Sequence, residues 1–203
     1  FSNYGAQNVD LFAPGVSIVS TVPGIADGVQ PGDYFYDGME EGESNWTVEG
    51  GVPWDVTSEM PCWGVHSWSD SPGGDYALNA DGSIVTKAID LTVGPADPVF
   101  WFNFYTDLEE GWDYLYCDFS GDDGVTWDSF GSITGTTDVW YGWGILIPEY
   151  LQTSQFRARF HLVSDDVNTA DGAYVDDVGI DTSSGSSSYA VMSGTSMATP
   201  HVT

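Results

Sequence analysis

Positive charge is almost absent from this chain. Only Lys87, Arg157 and Arg159 carry it, against 31 Asp and Glu in 203 residues, for a formal net charge of 3 − 31 = −28. Nucleic acid is thereby excluded as a partner, as is an acidic membrane surface, because binding a polyanion relies on Lys and Arg displacing counterions. Long apolar runs are missing as well. The longest, at residues 99–105 and 140–148, fall short of the roughly 18–20 residues that cross a bilayer, so no membrane segment is read. Cysteine is scarce: Cys62 and Cys117 allow one disulfide, and their number leaves bridged and unpaired states equally open.

What is abundant is glycine and aromatic carbon. The chain holds 25 Gly, 9 Trp, 11 Tyr and 10 Phe with 41% hydrophobic residues, enough for a packed core despite the charge. Asp-Gly, Gly-Asp and Pro-Gly pairs punctuate short runs rich in Val, Ile, Phe, Tyr and Trp, the pattern of strands joined by turns, and helical periodicity is nearly absent. The clearest strand is 154–163, where Phe156, Ala158, Phe160 and Leu162 alternate with Gln155, Arg157, Arg159 and His161. Leu115, Cys117 and Phe119 share one face of another strand, and Phe100, Phe102 and Phe104 one face of a third. Further strands are read at 46–49, 83–87, 127–132, 143–147 and 173–180. The middle is therefore expected to be a mainly β, antiparallel two-sheet sandwich. The ends differ: residues 1–24 hold Asp10 as their only charge and 182–203 hold no acid, which marks boundaries near 24/25 and 187/188.

The C-terminal run Gly194-Thr195-Ser196-Met197-Ala198-Thr199-Pro200-His201-Val202 resembles the nucleophile segment of subtilisin-like serine proteases. The stretches Phe1-Ser2-Asn3-Tyr4-Gly5, Val9-Asp10-Leu11-Phe12-Ala13-Pro14-Gly15 and Ile18-Val19-Ser20-Thr21 resemble the segment that precedes it. Gly194 permits a tight turn with close approach of a substrate, and Ser196 opens a stretch that can begin a helix, where its N–H can meet an oxyanion. The resemblance implies an α/β subtilisin-like fold at both ends, Ser196 as the acyl-enzyme serine, Gly194 and Thr195 at the substrate, and a secreted, extracellular endopeptidase acting on protein or peptide. The family's catalytic Asp, His and oxyanion Asn lie upstream of such segments and are not in this sequence. His201, five positions after Ser196, lies about 140° round a helix and cannot serve as base. The chain thus reads as a piece of a longer polypeptide, inactive as a protease alone and needing the remainder of the protease domain upstream.

Between the two matching ends lie about 160 residues, far beyond ordinary loop length, which a folded insertion accommodates at a closure cost of only about 2.5 kcal/mol. This insert is similar to the jelly-roll modules related to MAM domains, on Asp37-Gly38-Met39-Glu40 with Asn45-Trp46-Thr47, residues 83–91, residues 120–127, and the run from Asp171 to Ile180. In such modules an early acidic pair meets a late Asp-Asp pair, which implies a structural calcium held by Asp37, Glu40 and Asp176, with Asp177 in reserve. Hard cations take clusters of carboxylate and carbonyl oxygens, although solvated turn acids explain the same residues.

Ser120-Gly121-Asp122-Asp123-Gly124-Val125-Thr126-Trp127 has the pattern of an Asp-box hairpin, in which the Asp satisfies turn amides and the Trp packs beneath. A sialidase would need repeats of it and an arginine cluster, and two arginines do not provide one. Trp63, Trp68, Trp140 and Trp143, in or near loops, raise the alternative of a calcium-stabilised binding module for protein or glycan, with buried core indoles as the competing explanation. Asn45-Trp46-Thr47 is a glycosylation sequon. The acidity has a further explanation in adaptation to high salt, where screening relieves carboxylate repulsion.

Overall fold

The computed structural model describes residues 18–21, 34–94, 97–182 and 189–192. The chain divides into two units, Pro31–Ser183 on the one hand and Phe1–Gln30 with Ser184–Thr203 on the other. In chain order the described strands are β1 (Ile18–Thr21), β2 (Phe35–Asp37), β3 (Trp46–Gly50), β4 (Asp55–Thr57), β5 (Ser67–Ser69), β6 (Asp81–Thr86) and β7 (Pro98–Asp107). There follow β8 (Tyr114–Ser120), β9 (Asp128–Ile133), β10 (Tyr141–Leu146), β11 (Arg157–Val163), β12 (Gly172–Thr182) and β13 (Tyr189–Met192).

The unit Pro31–Ser183 is an antiparallel sandwich of two sheets, as its alternating pattern predicts. One sheet runs β10-β7-β12-β5-β4, with β2 also on β12; the other runs β3-β6-β11-β8-β9. Strands β2 and β5 share one edge of β12: β5 pairs at Tyr174 and Val175, β2 at Val178 to Ile180, and a bulge lies between Asp176 and Gly179. Such a bulge bends a strand and re-aims its side chains.

The alternation of each long strand decides what is buried. Phe100 and Phe102 of β7 meet Phe160 of β11, with ring centroids 5.9 and 4.8 Å away, and Phe100 meets Phe119 of β8 at 5.2 Å. Trp68, Val175 and Ile180 from the first sheet, and Ile84, Leu115, Ala158 and Leu162 from the second, complete this core at 0% exposure. Full burial of one such large side chain contributes roughly 1.5–3 kcal/mol. Strand β11 starts three residues later than its pattern suggests, because the backbone around Phe156 is used differently: its carbonyl accepts the Ile89 N–H at 2.8 Å.

The α/β subtilisin-like portion expected at the two ends needs correction. The described residues of that unit form an antiparallel ribbon, Ile18 opposite Met192 and Thr21 opposite Tyr189. Helical structure among the described residues is confined to two three-residue 3-10 turns, Glu43–Asn45 and Glu149–Leu151, both in the sandwich unit, so the described residues give the α/β expectation no support. Gly194, Thr195, Ser196 and His201 lie outside the described residues.

Candidate functional site

The outer face of the six-stranded sheet is aromatic where an ordinary sandwich is polar. In β7 the even positions enter the core, so Trp101, Asn103 and Tyr105 point outward. Their cross-strand neighbours are Gly179, Asp176 and Tyr174 on β12. On the other side Gly144 and Gly142 of β10 stand opposite Trp101 and Asn103. Trp101 lies against Gly179, where a Cβ would fall within the indole, and stacks on Tyr36 of β2 at 5.9 Å and 27°. Farther along the strand, Tyr105 contacts Trp140 and Tyr174, each at 6.2 Å.

The two aromatic groups are separated along β7 by four residues, about 13 Å at strand rise. Between them the floor is low. Gly142 and Gly144 are exposed, and a Cβ added there would meet only Asn103 Oδ1 at 3.2 Å and Val99 Cγ1 at 3.4 Å among described atoms. This face of β7 and β10, with rings at both ends and an amide in the middle, is the candidate groove.

One wall is the loop 58–66, tied down by carboxylates. Asp176 Oδ2 accepts the N–H groups of Cys62 (2.8 Å) and Trp63 (3.2 Å), and Glu40 Oε1 accepts those of Val65 (2.8 Å) and His66 (2.9 Å). Asp177, in the bulge at φ +48°, accepts the Tyr36 hydroxyl at 2.9 Å and the Asn103 amide at 3.4 Å. Burial, then the Asp177 charge, raises Asp176 to about 7; burial also raises Asp177, with Glu40 adding repulsion. Burial would raise Glu40 too, but the two loop amides and His66 outweigh it and hold Glu40 below its ordinary value. Of the four acids assigned to a cation, Glu40, Asp176 and Asp177 therefore share one neighbourhood, but among the described residues no three of the four bring ligand atoms within 4.8 Å of one another. Asp37 is also close, since Asp37 pairs with Val178. Its oxygens accept Met39 N–H, Asn45 Nδ2 and Trp46 Nε1, at 2.8, 3.0 and 3.0 Å.

A second acidic group escaped the sequence reading. Ligand atoms of Glu109, Asp113 and Asp165 all lie within 4.8 Å of one another. Asp113 is fully buried and takes the Tyr76 hydroxyl and the Asp165 N–H; Glu109 accepts Asn168 on one oxygen, while its buried Oε2 has no protein partner. An oxygen-only donor set with one orphaned carboxylate oxygen and no basic side chain fits a hard divalent cation. The residues come from the turn after β7 and the turn after β11, a pairing that only the register of the sheets brings together.

Other expectations fall out plainly. Trp68 is core, Trp143 packs against the core, Trp140 joins the groove, and Trp63 is 39% exposed on the wall loop. Trp101, Tyr105 and Tyr36 were missed, although Trp101 and Tyr105 on the polar face of the Phe100–Phe102–Phe104 strand were a visible signal. Cys62 and Cys117 are both unbridged, and burial followed by Asp176 and Asp177 pushes Cys62 up to about 12, leaving it a thiol. Asp122 accepts Thr126 N–H and hydroxyl at 2.9 and 2.8 Å and the Ser120 hydroxyl at 2.8 Å, the structural Asp-box role. Asn45 of the sequon is half-buried on Asp37, so its amide is engaged in the fold.

No family model and no curated protein matches the sequence. The fold has solved counterparts. With the C-terminal family 22 carbohydrate-binding module of Clostridium thermocellum Xyn10B the chain shares 12% identity at TM-score 0.56, over 79% of this chain and 100% of that one. The CBM22-1 xylan-binding domain of Paenibacillus barcinonensis Xyn10C gives 18% and 0.52, over 78% and 100%. The K2 cleaved adhesin domain of Lys-gingipain gives 13% and 0.53, over 73% and 99%. The likeness is one of fold.

These matches overturn the protease reading. What the chain shares over most of its length is the architecture of binding and adhesin modules, not a subtilisin-like serine endopeptidase with a peptide substrate and an upstream protease partner. Of the described histidines, His66 faces Glu40, and His161 binds Asp81 and approaches Asp118.

Proposed function

We propose that the chain is a glycan-binding module, stabilised by calcium and working outside the cell, that holds a polysaccharide along β7 and β10. The observation that carries the reading is the pair of aromatic groups, Trp101 with Tyr36 and Tyr105 with Trp140, facing outward at the two ends of one groove. Flat apolar rings receive the C–H faces of sugars, and Asn103 between them supplies a hydrogen-bonding amide; a few polar groups within an aromatic lining are what fixes a ligand's orientation. The bare glycines of β10 leave room for a chain that extends past the sheet edge. Solved modules of this fold named for xylan and carbohydrate binding support the reading. Calcium would be held by Glu109, Asp113 and Asp165, whose ligand atoms converge. Its chemistry would be structural, neutralising carboxylates that otherwise repel.

A glycan array followed by isothermal titration tests the function. Trp101→Ala and Tyr105→Ala should each weaken binding about tenfold or more, the usual effect of removing an aromatic anchor. Trp127→Ala, on the opposite sheet beneath Arg159, should leave affinity unchanged. Full binding by both groove variants would refute the assignment.

A further inference from the structure

We infer that the groove selects uncharged glycan chains and rejects those bearing carboxylate or sulfate groups; this rests on the glycan-binding reading. The few cations lie away from this face. Arg157 and Arg159 belong to β11 in the opposite sheet, and Lys87 follows β6 in that same sheet. Both arginines are already paired, Arg157 Nε with Asp123 at 2.6 Å and Arg159 Nε with Asp118 at 2.8 Å. His66, on the wall loop, has Glu40 at 3.4 Å.

The ionisable groups of the groove face itself are otherwise acids. Asp107 and Asp181 occupy outward positions at its two ends, opposite Gly172 and Val99. Asp176 and Asp177 lie under its middle, and Glu40 holds the wall loop. The neutral donors nearest the centre, the Tyr36 hydroxyl and the Asn103 amide, are directed at Asp177. An anionic substituent therefore meets carboxylates and the negative faces of Trp101 and Tyr105 without a counter-charge. Sugar hydroxyls, by contrast, donate to such acceptors.

Magnitude decides that this is selection rather than a minor bias. One unit charge about 10 Å from another in water alters an equilibrium by a factor of about two, and four compound to roughly tenfold or more. The whole molecule at −28 adds a field whose reach is set by salt, about 30 Å at 0.01 M and about 3 Å at 1 M.

The test uses the full chain in constant millimolar calcium, with affinity gels holding matched polymers. The pairs are arabinoxylan against glucuronoxylan, hydroxyethylcellulose against carboxymethylcellulose, and galactan against polygalacturonate. At about 0.01 M NaCl the uncharged member of any retained pair should bind at least about tenfold more tightly, and near 1 M the gap should shrink to about threefold or less. In the double variant Asp107→Asn with Asp181→Asn the low-salt gap should narrow about fourfold while the uncharged polymer binds as before. Equal or tighter binding of the anionic member, or a gap unmoved by salt, overturns the inference while leaving glycan binding intact. Retention by no polymer overturns both.

Discussion

Asp70 offers the sharpest test of whether this packing is right. It follows β5, its Oδ1 accepts the Ala173 N–H at 2.5 Å, and its own N–H donates to Ala173 O at 3.3 Å, so it extends the ladder onto β12. The residue is fully buried and its Oδ2 has no partner. Burial, opposed by the Ala173 N–H and helped by the Asp171 charge, lifts the carboxyl from 3.8 to about 7. The folded chain then holds a proton that the unfolded chain has released, so stability falls as pH rises from about 4 to about 7 and is flat above. At 1.36 kcal/mol per tenfold the full penalty is about 4 kcal/mol, of which about 1 is already present at pH 4.5 and about 3 develops between pH 4.5 and 8. Asp70→Asn keeps the bond to Ala173 and removes the titration, at a pH-independent cost of about 1–3 kcal/mol for the buried amide left without an acceptor. Urea unfolding of both proteins at pH 4.5 and 8 should therefore show the variant gaining about 3 kcal/mol on the parent across that interval. A difference constant within about 0.5 kcal/mol would refute a buried, unpartnered carboxylate at this position.

Two further outcomes follow from the same coordinates. Gly179→Ala should lift Trp101 off the sheet, lowering stability by about 1–3 kcal/mol and glycan affinity with it, whereas Gly144→Ala, with only Val99 Cγ1 at 3.4 Å, should change stability by less than about 0.5; calorimetry giving equal shifts would show that the indole does not lie over β12. Calcium at about 100 times its dissociation constant should stabilise the fold by about 2.7 kcal/mol, with Asp113→Asn removing most of that gain. A protein that ignores millimolar calcium and responds only to molar NaCl would owe its acidity to salt adaptation instead.

How much of this was legible in the chain depends on the range of the interaction involved. Strand β11 announces itself because burial alternates with chain position, and so do β7 and β8; each is a local pattern with a period of two. Strands β4 and β5, three residues each, are not legible, because Ser67 and Ser69 are buried polar residues whose place comes from β12. The acidic trio was invisible for the same reason. Glu109 and Asp113 sit 52 or more positions before Asp165, and only the pairing of β8 with β11 closes that distance. Glu40, Asp176 and Asp177 could be named in advance because a resemblance supplied the long-range contact that spacing does not.

The protease reading failed at a different step. It rested on the ends, residues 1–24 and 188–203, whose residue types suit acyl transfer, whereas the fold likeness covers 73–79% of the chain and lies in the sandwich. A short motif says which atoms could react; it does not place a base beside them. The better guide was in β7. Its even positions, Phe100, Phe102 and Phe104, supply the core side of the strand, so Trp101 and Tyr105 at odd positions lie on the other face. Large rings held on the solvent face of a sheet, Trp101 with glycine beside it on both neighbouring strands and Tyr105 beside Tyr174 and Trp140, keep apolar area available to something outside the protein. In a chain so poor in Lys and Arg, the proposed partner is one recognised by its shape and hydroxyls rather than by negative charge.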